Sequence, residues 1–187
     1  TSASTRHNIL IGNGVGQSIS DHLNLTPREL SAIGENFSQV IIGELGAGAV
    51  TVVGNTDLTS VAGADFTILG NTITLEGNAV DAVQVPGALS LHASGNVLLN
   101  SGIGAALTSN LSVVSTGGTL MMAKDTRLDS LGGDINLEGT SLAVATVDAR
   151  SPRGPDFHGI VKINADNGNG TVTDANLNNT TDIFAKA

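Results

Sequence analysis

Gly70–Leu75, which reads GNTITL, is the first of four similar phrases in this chain, and these phrases decide its fold. The others are Gly95–Leu99 (GNVLL), Gly117–Met122 (GGTLMM) and Gly132–Leu137 (GGDINL). In each phrase a glycine step leads into a short segment in which apolar positions alternate. Internal repetition of this kind indicates a stacked architecture, because one repeat alone cannot bury its apolar face.

A second alternating segment lies shortly before each phrase. These segments are Phe66–Ile68, Leu89–Leu91, Leu111–Val113 and, less regularly, Leu128–Leu131. Phe66 and Leu89 are 23 positions apart and Leu89 and Leu111 are 22 apart, as expected for successive turns of a coil. Three residues are too few for an independent hairpin, and the Gly, Asn, Ser and Thr between segments favour turns. The sequence therefore predicts an all-β fold, a parallel β-helix (β-solenoid) with its apolar side chains inside.

The chain divides into two predicted parts. Residues 1–39 are expected to form an N-terminal strand, a Gly-rich turn and a short capping helix, and residues 40–187 are expected to form the solenoid coils. The segment near 150–158 contains two of the four prolines and two arginines, which predicts a loop that protrudes from the rod.

One short helix is predicted in the N-terminal part. Thr26 fits the N-cap position, Pro27 the first helical position and Glu29 the capping-box position. Gly34 is expected to end the helix within about ten residues.

Composition excludes several classes of function. The formal net charge is −9 and the eight Lys and Arg residues are scattered, which disfavours binding to nucleic acid or to an anionic membrane surface. The sequence has no apolar run of about 20 residues, so membrane insertion by a helix is not expected. Cysteine is absent, which excludes disulfides and thiolate metal sites in this sequence.

Five segments resemble a known family. Leu25–Leu30, Phe37–Gly43 and Gly48–Val52 resemble a unit of very large bacterial surface proteins of the filamentous-haemagglutinin type, and Leu89–Leu99 and Gly133–Leu137 resemble the haemagglutinin repeats of the same proteins. The resemblance implies a right-handed parallel β-helix, export across the outer membrane and a role as the shaft of an adhesin on the bacterial cell surface.

The resemblance covers roughly residues 25 to 140 and specifies architecture better than activity. The family's secretion domain carries an Asn-Pro-Asn signature, which this sequence lacks. The resemblance therefore implies a shaft segment and not the export signal.

Two glycine-rich segments suggest ligands. The segment Asp166-Asn167-Gly168-Asn169-Gly170 combines Asp, Asn and Gly as in calcium-binding loops, with Asp166, Asn167 and Asn169 as candidate ligands. The pattern occurs once, so a plain turn is the favoured interpretation and calcium the alternative. Gly12, Gly14 and Gly16 follow a strand as in a dinucleotide fingerprint, but no βαβ unit follows, so a turn is favoured here too. No cofactor is predicted.

The four histidines do not form a zinc motif. His7, His22, His92 and His158 lack zinc-site spacing, and sequence alone neither supports nor excludes a Ser-His-Asp arrangement. Solvated or corner histidines are the favoured interpretation.

The sequence lacks most of the features expected of an enzymatic or an ice-binding β-helix. An enzyme acting on acidic polysaccharides needs grouped carboxylates, basic residues and aromatic platforms, whereas this chain has four Phe and no Trp or Tyr. Thr72-Ile73-Thr74 and Thr171-Val172-Thr173 would suit an ice-binding ladder, but the intervening repeats have Asn, Leu or Met in place of Thr.

The sequence analysis favours a non-enzymatic structural element: a shaft segment or self-assembling filament subunit of an extracellular bacterial adhesin. Its expected partners are copies of itself stacked head to tail or further coils of a longer chain, with a surface glycan as a further candidate. The alternative is a carbohydrate-binding or polysaccharide-cleaving β-helix that uses residues 150–158. The residues predicted to form the core are Ile68, Leu75, Leu91, Leu99, Val113, Leu120, Ile135, Leu137 and Ile163.

Overall fold

The three-dimensional structure is a computed structural model. It describes residues 7–12, 22–33, 37–53, 55–59, 64–77, 82–153, 159–166, 170–175 and 183–184. The predicted fold class is confirmed, because the described strands form parallel sheets stacked as a β-solenoid of about five turns, with one short helix.

Each complete turn contributes one strand to each of three sheets. Sheet A consists of Asn8–Ile11 (β1), His22–Leu25 (β2), Ala49–Val53 (β4), Thr72–Glu76 (β6), Val97–Leu99 (β9), Thr119–Met122 (β12), Ser141–Val144 (β15) and Thr171–Asp174 (β18). Sheet B consists of Gln39–Gly43 (β3), Asp65–Gly70 (β5), Leu89–Ala93 (β8), Leu111–Ser115 (β11), Ile135–Gly139 (β14) and Val161–Ala165 (β17). Sheet C consists of Ala82–Val85 (β7), Gly102–Ala105 (β10), Arg127–Asp129 (β13), Thr146–Asp148 (β16) and Ile183–Phe184 (β19).

The strand register follows the spacing of the sequence repeat. Phe66 pairs with Leu89, and Leu89 pairs with Leu111, so the separations of 23 and 22 residues are each one turn. Alternate residues point inward, and those of all three sheets form one continuous apolar core. Eight of the nine predicted core residues are buried, and Ile163 is partly buried and packs against the same core.

Two details of the repeat were predicted wrongly. The sequence pattern groups Gly132–Leu137 with the phrases that form sheet A, but its strand β14 pairs with β11 in sheet B. The pattern also places Leu128 in the segment that precedes this phrase, but Leu128 lies in β13 of sheet C. The strands of sheet C are short and contain few large apolar residues, so the sequence pattern indicates two strands per turn where the structure has three.

The predicted helix is present as Pro27–Ser31 (α1). The hydroxyl of Thr26 accepts a hydrogen bond from the backbone N–H of Glu29, and the carboxylate of Glu29 accepts one from the backbone N–H of Thr26, which completes the capping box. The backbone N–H of Thr26, followed by its hydroxyl, which also donates to the Glu29 carboxylate, lowers the pKa of Glu29. Gly34, the predicted helix stop, lies outside the described residues.

Polar side chains at the corners join successive turns. Asp65 Oδ1 accepts a hydrogen bond from the N–H of Ala88 at 2.9 Å, one turn further along. The side chains of Asn96, Asn110 and Asp134 do the same for backbone N–H groups of the turns that follow them. Each bond satisfies a donor that the turn geometry leaves unpaired, so the corner Asn and Asp residues help to hold the register.

The predicted protruding loop is described only at its start. Pro152 and Arg153 are exposed, and residues 154–158 lie outside the described part of the chain. The chain then returns at Gly159, whose buried N–H donates a hydrogen bond to the carbonyl of Ala149 at 2.9 Å. The coil is therefore closed on either side of this segment.

Candidate functional site

Among the described strands, those at each end of the solenoid have no partner on their outer edge, so the two ends are candidate interaction sites. At the N-terminal end, helix α1 inserts Leu30 fully into the core. Val40 and Ile42 of the edge strand β3 are also buried, whereas Leu23 of β2 is exposed. The described residues therefore close the N-terminal end on the side of sheet B and leave an apolar residue uncovered on the side of sheet A.

The C-terminal end is more open. Val172 continues an inward-facing row of sheet A after the buried Leu142, yet 51% of Val172 is exposed. Ile183 continues a row of sheet C after the buried Val147, and 40% of Ile183 is exposed. All four residues of β18 are exposed, and no described strand pairs with the outer edge of β18 or of β19.

Asp174 interrupts the apolar pattern at this end. It pairs with the buried Val144, so a carboxylate occupies a position that is apolar in the preceding turn. Charged residues at inward positions of edge strands are a recognised means of discouraging unwanted strand pairing. The C-terminal edge is thus open but not uniformly apolar.

Four charged side chains cluster on the outer face of sheet C. They are Arg127, Asp129, Asp148 and Arg150. Arg127 Nη2 lies 3.0 Å from Asp129 Oδ2 and 2.6 Å from Asp148 Oδ2. Arg150 Nη2 also lies 2.6 Å from Asp148 Oδ2, and the backbone N–H and Nε of Arg150 each donate to Asp148 Oδ1 at 2.9 Å. Asp148 therefore joins strand β13 to the start of the Pro- and Arg-containing segment.

Electrostatics keep Asp148 ionised. Burial of this carboxyl, which is 2% exposed, raises its pKa, but hydrogen bonds from Arg150 and the charges of Arg127 and Arg150 outweigh burial. The net pKa of Asp148 lies below its ordinary value. A carboxylate that is nearly buried, ionised and surrounded by donors suits a structural ion pair, and it is poorly suited to take a proton from a substrate.

Sequence reasoning did not identify this charged cluster. Arg127 and Asp148 are 21 residues apart, which is close to the length of one turn, so the repeat length would have predicted that they are neighbours. Asp129 and Asp148 are paired on neighbouring strands of sheet C, and that sheet was not recognised from the sequence.

The calcium candidate is only partly described. Asp166 is exposed, whereas Asn167 and Asn169 lie outside the described residues. A small polar pocket of about 50 Å³ beside Asp166 is lined by Glu138, Thr116 and Thr140, among others. Within the described ranges, no group of three or more His, Cys, Asp or Glu side chains is placed to bind a metal ion.

The structure separates the described histidines. His7 precedes β1, His22 lies in β2 and His92 faces outward from sheet B, where it pairs with Leu69 and Val114. The Nε2 atom of His92 is buried without a hydrogen-bond partner among the described residues. His158 lies outside the described residues, as do Gly14 and Gly16 of the glycine-rich segment.

The outer face of sheet A contains a row of mostly uncharged side chains. From β1 to β15 its central row runs through Leu10, Thr51, Thr74, Leu98, Met121 and Ala143. Large and small residues therefore occupy the row unevenly, and a groove of about 330 Å³ lies over Ala143 between Met121 and Thr173. The register confirms that Leu98 and Met121 interrupt the threonine ladder.

Comparison with protein-family models, with curated proteins and with solved structures finds no match to this chain. No helix in the described part of the chain is long and apolar enough to cross a membrane.

Proposed function

We propose that this chain is a structural segment of an extracellular bacterial adhesin, a stiff rod whose C-terminal turn receives further parallel coils. The observation that carries the proposal is the exposed last turn, in which Val172 and Ile183 continue buried rows of the core. The resemblance of the repeats to filamentous-haemagglutinin-type proteins supports the adhesin assignment and the cell-surface location.

The two ends support extension by a longer chain over stacking of identical copies. Head-to-tail stacking would place the C-terminal turn against α1, which closes the sheet B side of the N-terminal end with Leu30. Further coils of a longer chain that pair with β18 do not meet this obstacle.

The alternative is a β-helix that binds or cleaves an acidic polysaccharide. It is supported by the charged cluster, in which Arg127 and Arg150 have half-exposed side chains. The same arginines are bound to Asp148, which leaves them less able to bind the carboxylates of a uronate. The geometry therefore favours a structural role for the cluster.

Small-angle X-ray scattering at increasing protein concentration tests the rod proposal. We expect the longest dimension of the particle to stay constant, because α1 obstructs head-to-tail stacking of one copy on the next. Continuous growth in length at constant cross-section would instead identify a filament subunit and overturn the argument from Leu30.

Two further measurements address the adhesin assignment. We expect immunogold labelling of intact cells of the source bacterium to place the chain on their surface, and labelling only after lysis would contradict the assignment. We also expect no release of unsaturated product from acidic polysaccharides, and product formation that is lost in an Asp148→Asn variant would favour the enzyme.

A further inference from the structure

We infer that the outer face of sheet A is an interface with a second copy of this chain, in which two rods lie side by side and point in opposite directions. The contact is lateral, so it is independent of the coil ends on which the proposed function rests. Three observations support it: charge, side-chain size along the central row, and area.

Charge favours this face over the others. The chain has a net charge of −9, so two copies repel unless they meet through a neutral surface. Among the outward-facing residues in the described strands of sheet A, the only carboxylate is that of Glu76, at the end of β6. The outer faces of sheets B and C carry several charged side chains, including Asp65, Lys162 and Arg127.

Side-chain size makes the central row complementary to itself. A two-fold axis parallel to the strands, between β6 and β9, reverses the order of the strands in the facing copy. Each large residue then faces a small one: Leu98 faces Thr74, Met121 faces Thr51, and Leu10 faces Ala143. Every pair occurs twice, as required of an interface with two-fold symmetry.

Met121 and Ala143 contribute most to this fit. Met121 is 49% exposed and borders the groove over Ala143. Ala143 forms the floor of the groove of about 330 Å³, and the facing Leu10 would fill it. Filling the groove and covering Met121 removes apolar surface from water in both copies.

The available area predicts a weak interface. Eight strands about 4.8 Å apart, most of them four residues long at about 3.3 Å per residue, give a face of roughly 500 Å². A pair of copies would therefore bury roughly 1,000 Å² in total, which is the size of a weak, transient interface. We expect a reversible dimer that forms as the protein concentration rises.

Sedimentation equilibrium tests the interface. The wild-type protein should change from monomer to dimer between about 5 μM and about 500 μM. Met121→Glu places a carboxylate on the neutral face, and Ala143→Met fills the groove, so each should raise the dissociation constant at least about tenfold. Leu107→Glu is the matched control: Leu107 is 62% exposed in the turn after β10, away from sheet A, and this variant should dimerise like the wild type.

A cross-linking experiment tests the orientation. The two-fold arrangement places Thr119 opposite Ala49 of the second copy, whereas within one chain these residues lie three strands, or about 14 Å, apart. The chain has no cysteine, so a Thr119→Cys, Ala49→Cys double variant carries the only thiols. A bifunctional maleimide shorter than this distance should link the double variant into dimers and leave each single variant monomeric.

Three results would overturn the inference. The first is a wild-type protein that stays monomeric over the whole concentration range. The second is a Met121→Glu variant that remains folded by circular dichroism and dimerises like the wild type. The third is cross-linking of a single cysteine variant as efficient as that of the double variant.

Discussion

Leu91→Ala is the most direct test of the coil stacking. Leu91 lies in β8, pairs with Ile68 in the preceding turn and with Val113 in the next, and is fully buried. Removing a buried leucine side chain costs about 2 to 5 kcal/mol of the free energy of unfolding, because transfer energy is lost and a cavity remains. For a chain of this length the melting temperature should fall by about 4 to 20 °C. Leu91→Asp should lower it further, since it buries an unpaired charge.

Thermal melting followed by far-ultraviolet circular dichroism is the suitable assay, because the chain has no Trp or Tyr to report by fluorescence. Leu107→Ala is the matched control: it removes the same atoms from an exposed position and should change stability by at most about 0.5 kcal/mol. A melting temperature for Leu91→Ala within about 2 °C of the wild type would show that Leu91 does not lie in the core.

Three further predictions concern the corners and the charged cluster. Asp134→Ala should lower the free energy of unfolding in urea by about 0.5 to 1.5 kcal/mol, because Asp134 Oδ1 accepts a hydrogen bond from the N–H of Ile160 at 2.8 Å. Asp134→Asn keeps an acceptor oxygen and should be about as stable as the wild type. Equal losses of stability in the two variants would contradict this role. The pKa of Asp148 is lowered in the folded state, so its stabilising contribution is complete above its ordinary value of 3.8 and is lost as the pH falls through the folded-state pKa. Asp148→Asn should therefore make the urea midpoint less sensitive to acid below about pH 4, and an unchanged slope would refute this assignment. Gly159→Ala should lower the melting temperature, since its Cβ would collide with a backbone carbonyl of the preceding turn; a wild-type melting curve would exclude this close approach.

The repeat in the sequence was sufficient to predict the coil register but not the number of strands per turn. Phe66, Leu89 and Leu111 begin segments with two inward apolar residues, and they stack as predicted. Sheet C was missed because β10 contains Gly102 and Gly104 and β13 contains a single large apolar residue. A period-2 pattern needs at least two apolar positions to be recognised, so such short strands are visible only through their pairing partners.

The N-terminal strand order was also beyond the sequence pattern. Strand β1 pairs with β2 on one side and with β4 on the other, so the chain first moves outward to the end of the sheet and then returns. Nothing in the alternation of apolar residues distinguishes this order from a simple succession of turns. Helix α1, which places Leu30 in the core, lies in the chain between β2 and β3.

The spacing of paired residues indicates where this solenoid can vary without losing its register. Successive partners in sheet B are 22 to 24 residues apart from Phe66 to Ile135, whereas Val40 and Phe66, and likewise Ile135 and Val161, are 26 residues apart. In the second of these longer turns, the additional length includes the Pro- and Arg-containing segment. The corner absorbs it because Asp148 holds Arg150 before the segment and Gly159 returns to the carbonyl of Ala149 after it. The charged cluster therefore links sheet C, through Asp148, to Arg150 at the start of this segment.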